Sequence, residues 1–67
     1  MYPDTIRELR ERKELKQEDI AKLLNTSQQQ YSRYETGTEM PYGALRILSE
    51  YYNKTIDEII GNKKNSN

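Results

Sequence analysis

The sequence predicts an all-α domain built from five short helices. Apolar residues recur at spacings of three and four along most of the chain, which is the period of helices with one buried face. Capping and turn residues separate five such segments, and no strand is expected. Because 67 residues bury only a thin core, we expect one compact domain without a deep substrate pocket.

The first two predicted helices lie on either side of a short break. The first begins at Pro3, a residue suited to a first helical turn, and it carries Ile6 and Leu9 on one face. The break is expected at residues 14–16. The second helix is expected over about Gln17–Leu24, with acidic residues in its first turn that complement the helix dipole.

The third predicted helix follows a tight turn. Asn25 is one of the few residue types besides Gly that tolerate a left-handed conformation, so it can turn the chain. Ser27 and Gln30 have the spacing of a capping box, which marks the start of the helix. The helix is expected to run to about Thr36, and Gly37 ends it.

The last two predicted helices complete the domain. Pro41 starts the fourth, a capping box of Thr55 and Glu58 opens the fifth, and Gly61 ends it. The apolar residues that these helices carry are Ala44, Leu45, Leu48, Tyr52, Ile56, Ile59 and Ile60. We therefore place the domain at residues 1–61 and expect the polar residues 62–67 to form a disordered tail.

Composition argues against several classes of function. The chain has no Cys and no His, so it lacks disulfides, thiolate chemistry, the commonest general base and the commonest metal ligand. It has no apolar run of about 18 residues, and its first residues do not resemble a signal peptide. We therefore expect no enzymatic activity, no metal or other cofactor, no small-molecule ligand and no membrane partner.

The net charge is zero, from 11 basic and 11 acidic residues. This balance counts against a nucleic-acid-binding protein, because such proteins usually have a basic surface. If the chain binds DNA, its positive potential must be a local feature.

Residues 17–34 carry the most informative pattern. Two short helices joined by residues 25–27 are typical of a helix-turn-helix, and the small side chain of Ala21 lets the two helices approach closely. At about 100° per residue, the third helix has two distinct faces. One face holds Gln30, Tyr31, Tyr34 and Glu35 and should turn to the core, whereas the other holds Gln28, Gln29, Ser32 and Arg33 and is wholly polar.

The polar face of the third helix, defined as Gln28, Gln29, Ser32 and Arg33, suits the recognition of base edges. Gln can form two hydrogen bonds with adenine, Arg can do so with guanine, and Ser can reach bases or phosphates. The alternative is an ordinary solvated helix face. Its position directly after a capped turn favours the DNA-binding interpretation.

Several motifs along the chain combine into a family pattern. They are Ile6-x-x-Leu9-Arg10, Leu15-x-Gln17, Ile20-Ala21, Ser27-Gln28 and Tyr31-Ser32-Arg33-Tyr34-Glu35-x-Gly37, followed by Pro41, Leu45, Leu48, Tyr52 and Ile56-Asp57. The pattern, over about residues 4–61, resembles the phage repressor and Cro family of helix-turn-helix regulators, also called the xenobiotic-response-element family. The resemblance implies a five-helix, lambda-repressor-like domain that binds specific double-stranded DNA as a homodimer on palindromic operators.

The resemblance also implies roles for individual residues. It implies base contacts from Gln28, Gln29 and Arg33. Phosphate contacts are expected from Lys13, Lys16, Gln17, Ser27, Ser32 and Thr38. For the two lysines, the alternative is that they belong to a solvated face.

Three positions depart from the family pattern. Asn25 replaces the usual turn Gly, which is a mild change. Lys16 replaces the usual Ser or Thr cap, so the second helix should start weakly, although the lysine adds a charge that attracts phosphate. The loop at residues 38–40 lacks the usual basic residues, and its Glu39 would repel phosphate.

Arg10 and Glu35 are predicted to form a structural ion pair. Arg10 lies within the apolar stripe of the first helix, and Glu35 lies at the edge of the core-facing side of the third. A half-buried charge in a small core is costly unless it is paired, and the family has such a pair at matching positions. The alternative is that Arg10 extends outward to solvent.

The expected partners are double-stranded DNA and a second copy of the chain. The homodimer contact is expected in the Tyr51–Ile60 region, and the protein is expected to act as a repressor in the cytoplasm of a bacterium or phage-infected cell, associated with the nucleoid. The alternative is a protein-interaction module such as an antitoxin. A basic surface around Lys13, Lys16 and Arg33 would favour DNA, whereas a large exposed apolar patch would favour a protein partner.

Overall fold

The computed structural model describes the backbone of residues 2–61 and the side chains of residues 4–61. Its helices are α1 (Tyr2–Arg12), α2 (Gln17–Leu23), α3 (Gln28–Glu35), α4 (Tyr42–Tyr52) and α5 (Ile56–Ile60). The predicted all-α class and its five helices are confirmed, and residues 2–61 contain no strand. None of the described helices is long and apolar enough to cross a membrane. The expected disordered tail, residues 62–67, lies outside the described residues.

The helix boundaries differ slightly from those expected. α2 ends at Leu23 and α3 at Glu35, each just before the predicted last residue. α4 begins at Tyr42, because Pro41 has an extended conformation and serves as the N-cap. Such small differences are usual at helix ends.

Helices α1 to α4 are each followed, within one or two residues, by a residue at positive φ. These residues are Glu14 (φ 57°), Asn25 (58°), Gly37 (122°) and Asn53 (58°). The next amide donates to the carbonyl five residues earlier, in the bonds Leu15 to Arg10 (3.2 Å), Thr26 to Ala21 (2.9 Å), Thr38 to Arg33 (2.9 Å) and Lys54 to Ser49 (3.0 Å). This is the Schellman arrangement, which satisfies the last helical carbonyls and reverses the chain sharply. The turn role predicted for Asn25 is confirmed.

The helix starts are satisfied by side chains. Ser27 Oγ accepts from the Gln30 amide at 3.0 Å, and Thr55 and Glu58 form the complete capping box that was predicted. At Ser27 the structure has this one bond of the two in a capping box. At the start of α2, Lys16 makes no capping hydrogen bond through its side chain, as expected, and the carboxylate of Asp19 accepts from the Lys16 amide at 2.9 Å.

A single core draws residues from all five helices. It consists of Ile6, Ile20, Ala21, Tyr31, Tyr34, Met40, Leu48, Tyr52 and Ile59, with Leu9, Leu15, Leu24, Ala44 and Leu45 packed at its edge. Met40, from the loop between α3 and α4, was not expected in the core. Because α3 packs against α1 and α2 through one side, its opposite side remains at the surface.

Candidate nucleic-acid interface

The two faces of α3 have opposite environments. Tyr31, Tyr34 and Glu35 are buried, and the rings of the two tyrosines meet edge to face with their centroids 6.3 Å apart. The residues of the polar face are Gln28, Gln29 and Arg33, which are exposed, and Ser32, which is half-buried. The predicted division of the helix is confirmed, so α3 presents a continuous polar surface.

The turn before α3 fixes how this surface is presented. Ala21 is buried at 2% exposure, which allows α2 and α3 to approach closely. Ser27 Oγ accepts from the Gln30 amide, and this bond orients the first turn of α3. Its hydroxyl hydrogen is still able to donate to another acceptor.

The ion pair expected between Arg10 and Glu35 is present, with Glu35 buried and Arg10 half-buried. Arg10 Nε lies 2.6 Å from Glu35 Oε2, and Arg10 Nη2 lies 3.1 Å from Oε1. The side chains are 12% and 3% exposed, so the alternative in which Arg10 extends to solvent is wrong. Arg10 Nη1 also donates to the Leu15 carbonyl at 2.9 Å, which ties the pair to the loop between α1 and α2.

The electrostatics of this pair follow from its hydrogen bonds. Burial alone would raise the pKa of Glu35, but the hydrogen bonds from Arg10 and Gln17 outweigh that effect and lower the pKa below its ordinary value. The hydrogen bond to Glu35 raises the pKa of Arg10. Both groups are therefore charged at neutral pH, and the base of α3 is anchored to α1.

Gln17 lies closer to this pair than the sequence indicated. Its Nε2 donates to Glu35 Oε1 at 3.0 Å, and the side chain is half-buried. Gln17 thus joins the start of α2 to the end of α3, a role that sequence reasoning missed because it depends on how α2 crosses α3. The amide carries a second N–H, which is available to a phosphate.

The remaining expected phosphate ligands lie in different surroundings. Lys16 is exposed at the start of α2, and Thr38 is exposed in the loop after α3. Lys13 is exposed, but its Nζ lies 5.6 Å from the centroid of the Tyr51 ring, a cation–π contact with α4. The structure therefore brings Lys13 to α4, whereas Lys16, Ser27 and the polar face belong to the contiguous segment of α2, the turn and α3.

Residues 4–61 contain a surface cleft but no cluster of metal ligands. No group of three or more acidic side chains there could hold a metal ion. A surface cleft of about 160 Å³ lies between α1 and the start of α5, lined by Thr5, Glu8, Leu9, Arg12, Lys54 and Glu58. Its mixed charges include no arrangement that we can assign to a particular ligand.

The fold and the geometry of α2, the turn and α3 define a helix-turn-helix DNA-binding domain. The family model described as "Helix-turn-helix" matches residues 6–59, most of the chain. The protein belongs to the helix-turn-helix family of the Cro and phage-repressor type and is a DNA-binding transcription regulator. No curated protein and no solved structure is significantly similar to it.

Proposed function

We propose that the protein is a repressor that binds a palindromic operator and reads it with the polar face of α3. The observation that carries this proposal is the exposure of Gln28, Gln29 and Arg33 on a helix whose other side is buried and anchored by an ion pair. In a helix-turn-helix, the N-terminal residues of the second helix meet base edges in the major groove. Gln28 and Gln29 then suit adenine, and Arg33, on the same face, suits guanine.

The surrounding polar groups suit the DNA backbone. Ser32 lies within the polar face, and Lys16, Ser27 and Thr38 lie before or after it along the chain. All four carry ammonium or hydroxyl donors for phosphate. Gln17 contributes its second amide N–H while the first remains on Glu35. Lys13 is exposed and carries a charge for phosphate, and its contact with the Tyr51 ring is worth about 0.5–1 kcal/mol at such a site.

The proposed operator requires two copies of the chain. One copy of α3 presents three base-contacting side chains, too few for useful specificity in a genome. A homodimer formed through the Tyr51–Ile60 region presents two copies of α3 to two half-sites. We place this activity in the bacterial or phage-infected cytoplasm, where the nucleoid is.

Binding measurements on alanine variants test this proposal. Selection from a random duplex pool gives the operator, and affinities are then measured for variants of that duplex at several salt concentrations. Gln28→Ala and Arg33→Ala should each cost about 1–3 kcal/mol and relax selectivity at one base pair. Lys16→Ala should weaken all duplexes about equally and reduce the salt slope by about 1.

Arg46→Ala is the matched control for Arg33→Ala. Arg46 is an exposed arginine on α4, 3.6 Å from Glu50, and its removal changes the net charge equally. It should leave the base preference unchanged. Uniform loss of affinity across sequences in the Gln28 and Arg33 variants would show that α3 is not the helix that reads bases.

A second candidate function is supported by the surface of α4. Tyr42, Ile47 and Tyr51 are 67%, 38% and 42% exposed, and such side chains suit a protein partner, as in an antitoxin bound to its toxin. Under this alternative, none of the substitutions on the polar face of α3 changes DNA affinity. Replacing Ile47 by Glu would instead abolish capture of a single partner protein from the host.

A further inference from the structure

α3 presents a single exposed charge to its surroundings. α3 contains two charged residues, Arg33 and Glu35. Glu35 is buried and neutralised by Arg10, so Arg33 is the charge that α3 presents to its surroundings. The next charged residue along the chain is Glu39, of opposite sign.

The loop after α3 holds Glu39 in a defined position. The Thr38 amide donates to the Arg33 carbonyl at 2.9 Å, which folds the loop back onto the last turn of α3. On the other side of Glu39, the Met40 side chain is buried at 5% exposure. Glu39 itself is exposed, and it makes no ion pair with any residue in the range 4–61. The backbone of Glu39 is therefore held close to the C-terminal end of α3, between two tethered neighbours, and its side chain is exposed there.

We propose that Glu39 lowers the affinity of the protein for the phosphate backbone of DNA. This inference rests on the proposed function, since it requires that α3 enters the DNA groove. A carboxylate at the end of α3 then faces the phosphates that flank the groove and repels them. Because phosphate attraction is independent of sequence, the repulsion weakens every duplex by a similar factor.

The repulsion by Glu39 affects non-specific and specific DNA complexes differently in practice. Non-specific binding comes almost wholly from phosphate contacts, whereas specific binding adds contacts to bases. Because the net charge of the chain is zero, one carboxylate at the interface offsets a large part of the attraction between the protein and DNA phosphates. Complexes on non-cognate DNA then fall below useful affinity, and those with base contacts remain. Glu39 thus sets affinity without altering which bases are preferred.

The test compares Glu39→Gln and Glu39→Lys with the same substitutions at Glu8. Glu8 is exposed on α1 and lines the cleft beside Lys54, so it provides an equal change of charge elsewhere. Affinities are measured on the selected operator and on a scrambled duplex over a series of salt concentrations. Thermal melts and sedimentation verify that folding and self-association are unchanged in all four variants.

We expect Glu39→Gln to tighten both duplexes by a similar factor, about threefold to tenfold at low salt. Glu39→Lys should tighten both further and steepen the salt slope by about 1, because it adds a phosphate contact. The Glu8 variants should change affinity by less than about twofold, since distant exposed charges are screened. Base preference should be the same in every variant.

Two results would contradict the role proposed for Glu39 but leave the proposed DNA-binding function intact. In one, the Glu39 and Glu8 variants behave alike while Arg33→Ala still weakens the operator complex. In the other, Glu39→Gln weakens the operator specifically, as expected if the carboxylate accepts a hydrogen bond from cytosine. A wild-type protein that binds no duplex would instead overturn the proposed function and, with it, this role of Glu39.

Discussion

Removing the carboxylate of Glu35 should strongly destabilise the fold. The Arg10 side chain is 12% exposed and its guanidinium makes two hydrogen bonds to Glu35, so Glu35→Ala leaves a mostly buried charge without its partner. The expected loss is about 3–5 kcal/mol in the free energy of unfolding, a large part of the stability of a small domain. Urea or thermal unfolding of the variant measures it.

Glu11→Ala is the control for this substitution. Glu11 Oε2 also approaches Arg10, at 3.9 Å, but its side chain is 60% exposed. An exposed pair contributes about 0–1 kcal/mol, so Glu11→Ala should change stability little. Equal losses in the two variants would contradict the central role that we give to the buried pair.

The Arg10–Glu35 pair should also make the free energy of unfolding depend on pH. The pKa of Glu35 is lowered in the folded protein from an ordinary value of 4.5. A carboxyl of this kind stabilises the fold above its unfolded pKa, and the contribution disappears as the pH falls through the folded pKa. The gap in unfolding free energy between the wild type and Glu35→Gln should therefore be largest at neutral pH and shrink as the pH falls below 4.5.

Unfolding of both proteins over this pH range measures the gap. Glu58 also has a lowered pKa, because the Thr55 backbone amide donates to it, but this effect is common to both proteins and cancels in the difference. A gap that is the same at pH 7 and at about pH 3 would show that the carboxylate of Glu35 is not stabilised by its partners.

At the scale of residues, a contact could be predicted from the sequence where burial requires a particular partner. Arg10 and Glu35 could be paired because a charge in a small core needs an opposite charge. Neither the hydrogen bond from Gln17 to Glu35 nor the position of Lys13 above Tyr51 could be predicted in this way. Both depend on the angles at which helices cross, and polar surface side chains carry no periodic signal of those angles.

At the scale of helices, the end of α1 offers a route to higher stability. Glu14 has a φ of 57°, a left-handed conformation that costs a residue with a Cβ roughly 1–2 kcal/mol. Glu14→Gly removes this strain, and part of the gain is lost to the greater freedom of Gly in the unfolded chain. We expect a net stabilisation of about 0.5–1 kcal/mol, measured by urea unfolding.

The same substitution in the middle of α1 provides the comparison. Glu8 is an exposed helical residue, and Glu8→Gly should destabilise the protein by roughly 0.5–1 kcal/mol. The two glycine variants should therefore move stability in opposite directions. If both variants are destabilised, the left-handed turn at Glu14 is not strained.

Helix starts and ends were predictable wherever a side chain had a specific capping role. Ser27, Thr55, Asn25 and Gly61 were recognised for this reason. Glu14 was not, because Glu rarely adopts positive φ, and here the Schellman bonds of the end of α1 determine the conformation. Met40 was likewise missed, since a single apolar residue in a loop has no period that would reveal its burial.

At the scale of the whole molecule, the fold class and the polar face of α3 followed from the sequence, because both depend on helical period and turn chemistry. The assembly has no comparable signal in one chain. The proposed Tyr51–Ile60 contact does include apolar side chains that are partly exposed. Within it, Tyr51 on α4 is 42% exposed, and Ile56 and Ile60 on α5 are half-buried.

Tyr51→Glu should therefore separate dimerisation from folding. The new carboxylate would lie near Lys13 Nζ, which is 5.6 Å from the Tyr51 ring centroid in the wild type, so the monomer should remain folded. A charge in the middle of an apolar contact should prevent self-association in sedimentation experiments. Affinity for a two-half-site operator should fall sharply, whereas affinity for a single half-site should be unchanged.

The control is Tyr42→Glu, which introduces the same charge at an exposed tyrosine outside the proposed contact. It should leave self-association intact. With the wild type, the footprint should show two-fold symmetry, with half-sites about 10 base pairs apart, because that spacing brings both copies of α3 to the same side of the duplex. One protein copy per operator with an asymmetric footprint would contradict the dimer. Normal self-association of Tyr51→Glu would contradict only its location, since a dimer formed elsewhere would still present two copies of α3.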